Sequence, residues 1–161
     1  KTLSKGQEAK LMLAKVLSQN AKLLLLDEPT SGLDPRTRKE IIREFQEVIE
    51  EGDKSIIISS HIISDLETIA DYVVFMDEGE IGFNEDRESI MNYYKVVKGS
   101  REEIENLKIK PIFKEEGRYF SSALIKFDEN LKEDLEGLNI EETSLETIIN
   151  FYLGGSYGFT N

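Results

Sequence analysis

The stretch Leu23-Leu24-Leu25-Leu26-Asp27-Glu28-Pro29-Thr30-Ser31-Gly32-Leu33-Asp34-Pro35 constrains this chain more than any other. Four consecutive leucines are too few to cross a membrane, and they lack the polar alternation of a half-wet strand. They read as one strand of a parallel sheet, covered on both faces. Asp27 and Glu28 arrive where that strand ends. In open α/β sheets, ligands collect at the carboxyl ends of the strands. A buried strand delivering Asp-Glu to that edge suggests a metal ligand followed by a residue that orients water. For Asp-Glu alone, the plainer alternative is a strand stopped by charge and by Pro29. The Ser-Gly-Leu-Asp that follows shifts the balance.

A second apolar run, Ser55–Ser59, places Ser60 and His61 at its own carboxyl end. If the two strands are neighbours, His61, the only histidine of the chain, lies beside the carboxylates. A helix is expected over residues 34–51. Asp34 suits its N-cap and Pro35 its first position, Ile41, Ile42, Phe45, Val48 and Ile49 form one stripe, and Gly52 ends it. Another helix is expected from Ser4, with Ala9, Leu13, Val16 and Leu17 on one face.

Leu23–Glu28 resembles the Walker B strand of the ATP-binding cassette (ABC) ATPases, and Ser31-Gly32-Leu33-Asp34 resembles their D-loop. Leu3-Ser4-Lys5-Gly6-Gln7 resembles their signature motif, with Lys5 where the family usually has glycine. His61 falls where the family has its switch histidine. The resemblance is strong over residues 1–83 and softer beyond. It implies an α/β fold: part of a P-loop NTPase (RecA-like) parallel sheet with flanking helices, followed by a small α+β C-terminal appendage. It also implies roles. Asp27 would hold Mg2+ through water, Glu28 would polarise the attacking water and His61 would steady the γ-phosphate of ATP. Ser4, Lys5, Gly6 and Gln7 would meet the γ-phosphate held by a second ATPase subunit, where a helix N-terminus suits an anion. Asp34 would contact that subunit across the dimer.

Composition sets outer limits. With 161 residues, the chain is long enough for one domain, or for a core with an appendage. It has no cysteine and a net charge of −12, which argues against a nucleic-acid groove, because neutralising phosphates needs clustered Lys and Arg. The division expected is residues 1–94 as the C-terminal part of the cassette and residues 95–161 as an appended regulatory or docking domain. Strands are expected at Tyr72–Met76 and Glu80–Phe83, joined by Glu78-Gly79, with a helix over residues 87–94 capped by Asp86. In the appendage, Val96–Lys98 reads as a strand, and Ser100-x-x-Glu103 as a capping box opening a helix to about Leu107. Ile109–Phe113 and Tyr119–Lys126 read as a hairpin around Glu-Glu-Gly. Thr143-x-x-Glu146 reads as a second capping box, with order ending at Gly154-Gly155-Ser156. Thr143-Ser144-Leu145-Glu146 and the later glycines are similar to the close of many bacterial ABC ATPases that serve separate permeases.

The functional expectation is the energy-coupling subunit of an ABC transporter. It would lie cytoplasmically on the inner face of the membrane, pair with a second ATPase subunit, and drive an integral membrane permease. The glycine-rich phosphate loop, G-x-x-x-x-G-K-[ST], occurs nowhere in the 161 residues. The chain is therefore expected to be the C-terminal part of a longer ATPase. In the fold that the resemblance implies, the strand that carries the loop would lie between Ser55–Ser59 and Tyr72–Met76. Two alternatives stand beside this reading: a soluble ABC ATPase acting on ribosomes or DNA, and a non-catalytic dimerisation or regulatory piece.

Overall fold

The computed structural model describes residues 3–19 and 21–158, with side chains as far as residue 154. Backbone contacts divide the chain into two compact units, Lys1–Ile69 and Ala70–Asn161.

In the first unit, helix α1 (Lys5–Leu17) starts at Ser4. The Gln7 N–H donates to Ser4 Oγ at 3.3 Å and the Ser4 N–H donates to Gln7 Oε1 at 3.0 Å, closing a capping box. Strands β1 (Leu23–Asp27) and β2 (Ser55–Ser59) run parallel, with Leu23 opposite Ser55 and Asp27 opposite Ser59. Helix α2 (Pro35–Glu50) connects them, and helix α3 (Ile63–Ile69) follows β2. Asp34 caps α2 by accepting from the N–H groups of Arg36 and Thr37, each at 3.1 Å. Gly52 ends the helix in a left-handed conformation at φ +76°, which a side chain would strain.

Leu13, Ile41, Ile42, Phe45 and Ile69 form the core of this unit, and Leu17, Leu26, Leu33, Ile56 and Ile58 pack against it. The expectation of a strand covered on both faces is corrected here. Leu24 is buried, whereas Leu25 on the opposite face is 70% exposed and Ile57 of β2 is 61% exposed. The apolar stripes packed on this strand pair lie on one face. The burial therefore alternates with period two, although the sequence does not.

The second unit opens with a hairpin, β3 (Tyr72–Asp77) and β4 (Glu80–Asp86), turned at Glu78 and Gly79 with φ of +47° and +84°. Two successive left-handed residues match the right-handed twist of a two-residue hairpin. Asp86 caps helix α4 (Arg87–Tyr93), which leads into β5 (Tyr94–Gly99), and Ser100 with Glu103 closes a capping box on helix α5 (Arg101–Glu105). Strands β6 (Phe113–Glu116), β7 (Ser121–Lys126) and β8 (Asn139–Glu142) follow, and helix α6 (Leu145–Gly158) comes last. An antiparallel sheet runs in the order β6-β7-β5-β8. Val97, Ile104, Ala123, Ile125 and Leu135 form its core.

Three local expectations in this unit are corrected, and one strand was unforeseen. Glu115 and Glu116 belong to β6, so the turn lies later, at Gly117, where an added Cβ would sit 2.2 Å from the Phe120 carbonyl oxygen. Thr143-x-x-Glu146 is not the cap of α6. Ser144 is, one residue on, accepting from the Thr147 N–H at 3.1 Å. The same helix continues through Gly154 to Gly158. Strand β8 was not foreseen, because Asn-Ile-Glu-Glu carries one strand-favouring residue. Its pairing with β5 and the ion pairs Lys95–Glu142 and Lys98–Glu141 override that weak preference.

The compact division falls at Ile69/Ala70, earlier than the domain boundary expected at 94/95. The hairpin shares an aromatic core with later residues. Tyr152 of α6 lies 5.5 Å from Phe75 and 5.3 Å from Phe83 between ring centroids, and 4.7 Å from Phe113. Gly82 makes room for this, since a Cβ there would come within 2.8 Å of Phe75 and 3.0 Å of Tyr152. Burial, with the neighbouring Tyr94 phenol, pushes the Tyr152 hydroxyl up to about 12. Strand β2 pairs with β1, and β3 pairs with β4.

Candidate functional site

The parallel register decides where the chemistry lies. Asp27 and Ser59 end their strands side by side, so whatever follows each of them emerges at one edge. Ser59 Oγ donates to Asp27 Oδ1 at 2.5 Å and accepts from the Glu28 N–H at 3.1 Å. The Ser59 carbonyl accepts from that same N–H, also at 3.1 Å. Glu28 is thereby held in a left-handed conformation, φ +47°, which is uncommon for a residue with a side chain. This turn brings its carboxylate back toward β2, where Glu28 Oε2 meets His61 Nδ1 at 2.7 Å. Asp27, Glu28 and His61, singled out separately in the sequence, thus form one group with Ser59 at the carboxyl edge of β1 and β2.

Sequence reasoning missed Ser59, which looked like the last residue of an apolar run. The signal was its register against Asp27, and register is not visible until the strands are paired. It also missed Thr30 and Asp65. Thr30 is fully buried and donates from Oγ1 to Asp65 Oδ2 at 2.9 Å. Asp65, 4% exposed, takes Arg38 Nε at 3.1 Å on its other oxygen.

The remaining candidates assemble around the start of α2. Gly6 lies against Thr37, and a Cβ on Gly6 would stand 3.1 Å from the threonine methyl. Lys5 Nζ reaches Gly32, so the Ser4–Gln7 segment lies beside the loop before Asp34. Ser4 and Gln7 both serve the capping box of α1, and Asp34 serves the cap of α2. The local structural roles of these residues are therefore realised.

Asp34 carries a pH dependence. The Thr37 hydroxyl and then its N–H hold the carboxyl below its ordinary value of 3.8. A depressed carboxylate contributes stability above its ordinary value, and that contribution is lost as pH falls through the folded value. Asparagine caps a helix about as well as aspartate. Asp34→Asn should therefore match wild type in thermal melts at pH 7 and lose less stability than wild type on acidification below pH 4. Equal acid sensitivity of the two proteins would count against the cap as a titrating element.

A magnesium ion would find a partial site. Among the described residues, no group of three or more His, Cys, Asp or Glu could hold a metal. Magnesium is commonly bound by one or two carboxylates together with phosphates and water, so a single carboxylate with a serine hydroxyl beside it suits a shared site.

Residues 2–64 match a protein-family model described as "AAA domain, putative AbiEii toxin, Type IV TA system". Among curated proteins, the chain is 38% identical over 79 residues to the energy-coupling factor transporter ATP-binding protein EcfA2 of Enterococcus faecalis, covering 49% of this chain and 27% of that protein. It is 41% identical over 81 residues to a putative ABC transporter ATP-binding protein of Mycoplasma pneumoniae, covering 50% and 25%. Its relatives are ATP-binding proteins of ABC transporters. The matched stretch is about a quarter of the length of these relatives. The fold is found again in the inward-facing structure of "a putative metal-chelate type ABC transporter", with a TM-score of 0.52 and 20% identity over 80% of this chain and 49% of that one. The resemblance read from the four motifs and the α/β class of the fold both agree with these relatives. Among the described residues, no helix is long and apolar enough to cross a membrane.

Proposed function

We propose that this chain is part of the ATP-hydrolysing subunit of an ABC transporter, powering a separate membrane permease from the cytoplasmic side. The observation that carries the reading is the Glu28–His61 contact at the shared edge of two parallel strands, with Asp27 beside it. A carboxylate held at such an edge can accept a proton from water attacking a phosphate. His61 faces the Glu28 carboxylate through Nδ1, so a γ-phosphate oxygen would be met by an Nε2–H of the doubly protonated imidazolium. Asp27 would hold Mg2+ through water, while Ser59 keeps its carboxylate oriented. The ion would supply charge neutralisation of the phosphates. Ser4–Gln7, at the N-terminus of α1, would face the nucleotide of a second ATPase subunit, and Asp34 would sit near that contact. Residues 1–94 would belong to the cassette and residues 95–161 to a regulatory or docking appendage, which shares its compact unit with the β3–β4 hairpin.

The groups that cradle the β- and γ-phosphates would come from polypeptide outside these 161 residues. The 161-residue chain by itself is therefore expected to release no phosphate from ATP above the level of its Glu28→Gln form. Turnover that disappears in that variant would show that the chain holds a complete site. The wider reading is tested on the intact protein, which should hydrolyse ATP and do so faster when reconstituted in membranes with its permease. Absence of any Glu28-dependent hydrolysis would overturn it.

A further inference from the structure

Glu28 and His61 are not held together by their own contact. Their side chains are 37% and 67% exposed, and an exposed pair in water is worth little. Their separation must be set by the backbones that carry them. On one side Ser59 grips the Glu28 N–H. On the other, a buried carboxylate spans the two segments. Asp65 stands four residues after His61 and accepts from Thr30, two residues after Glu28, while its second oxygen takes Arg38 near the start of α2. Arg38 also donates to Ser64 at 3.4 Å. One side chain thus joins the loop that leaves β1, the helix that follows the loop, and the helix that follows His61. Its burial makes the linkage directional, since a charge at 4% exposure keeps both partners or destabilises its site.

We propose that Asp65, acting through Thr30 and Arg38, is the positioning residue that sets Glu28 against His61. It touches neither of them. The proposal rests on the hydrolytic reading for its kinetic consequence, but the geometry itself is open to a measurement that needs no turnover.

That measurement is the NMR signal of the His61 imidazole in the intact protein, assigned by comparison with His61→Gln. Glu28→Gln should move the signal, because it changes the direct partner. Thr30→Val keeps the side-chain shape and removes the hydroxyl, and Asp65→Asn removes the charge. Both should move the His61 signal in the direction that Glu28→Gln does, whereas Thr30→Ser, which keeps the hydroxyl, should leave it in place. In kinetics, Thr30→Val and Asp65→Asn should each lower kcat by about tenfold or more with ATP affinity kept within about twofold, because a misplacement near 1 Å is enough to cost that much. Added to Glu28→Gln, neither should reduce turnover further, since they act through the group already removed. If Asp65→Asn does not fold, Thr30→Val and Thr30→Ser carry the comparison. An unmoved His61 signal in folded Thr30→Val would overturn the proposal, whatever the kinetics. A signal moved in Thr30→Val, together with a wild-type protein that shows no ATPase activity, would instead uphold the positioning and defeat the hydrolytic reading.

Discussion

Replacing Glu28 by glutamine in the intact protein is expected to lower ATP turnover by roughly 10²–10⁴-fold, the range for losing general-base assistance, while ATP binding is retained. Glutamine keeps the length and polarity of the side chain, so the turn fixed by Ser59 survives. It cannot accept the proton of an attacking water. The contact with His61 at 2.7 Å is changed in character but not in reach. Equilibrium binding of ATP, measured beside steady-state phosphate release, separates the two effects. Turnover within about twofold of wild type would remove Glu28 from the chemistry and leave the strand edge as a binding surface. His61→Ala should also lower turnover, and should weaken nucleotide binding as well if Nε2 meets a phosphate.

Phe45→Ala is expected to destabilise the first unit by about 3–5 kcal/mol, the range for emptying a buried aromatic site. Phe45 is 1% exposed and lies in the cluster with Leu13, Ile41, Ile42 and Ile69. Elements α1, α2, α3, β1 and β2 all bring side chains to that cluster, so no single one can collapse into the gap without leaving the others. Leu25→Ser offers the contrast. Leu25 belongs to the same run of leucines yet is 70% exposed, and its substitution should change stability by less than about 0.5 kcal/mol, as surface changes usually do. Denaturant titration of the chain and its two variants measures both. Comparable losses from the two substitutions would mean that the outer face of β1 is covered in solution.

Much of the first unit is legible in the sequence. The stripe Ile41, Ile42, Phe45 and Val48 announced which face of α2 turns inward, and Asp34, Pro35 and Gly52 marked its ends. The sequence put His61 beside Asp27 and Glu28 on the condition that their strands are neighbours, and the parallel pairing of β1 with β2 meets that condition. What stayed hidden was whatever depends on a partner far along the chain. Leu25 is as apolar as Leu24, and only the one-sided packing of helices distinguishes the exposed residue from the buried one. Asp65 carried no signal of its own in the sequence, and its part emerges only with Thr30 and Arg38 on either side of it. Strand β8 was lost for the same reason, its weak local preference being overridden by pairing with β5, whereas the Ser144 cap was a local choice between adjacent hydroxyls.

The backbone at position 28 carries a consequence for engineering. A left-handed conformation in a residue with a Cβ is unfavourable by about 1–2 kcal/mol, and glycine or asparagine at that position would relieve much of it. A library randomised at this codon and sorted for heat resistance alone should therefore converge on Gly or Asn and discard glutamate. Sorted for ATP-dependent transport, the same library should return to glutamate and accept the lower melting point. The divergence between the two sorts would separate what the fold prefers at this position from what the proposed reaction requires.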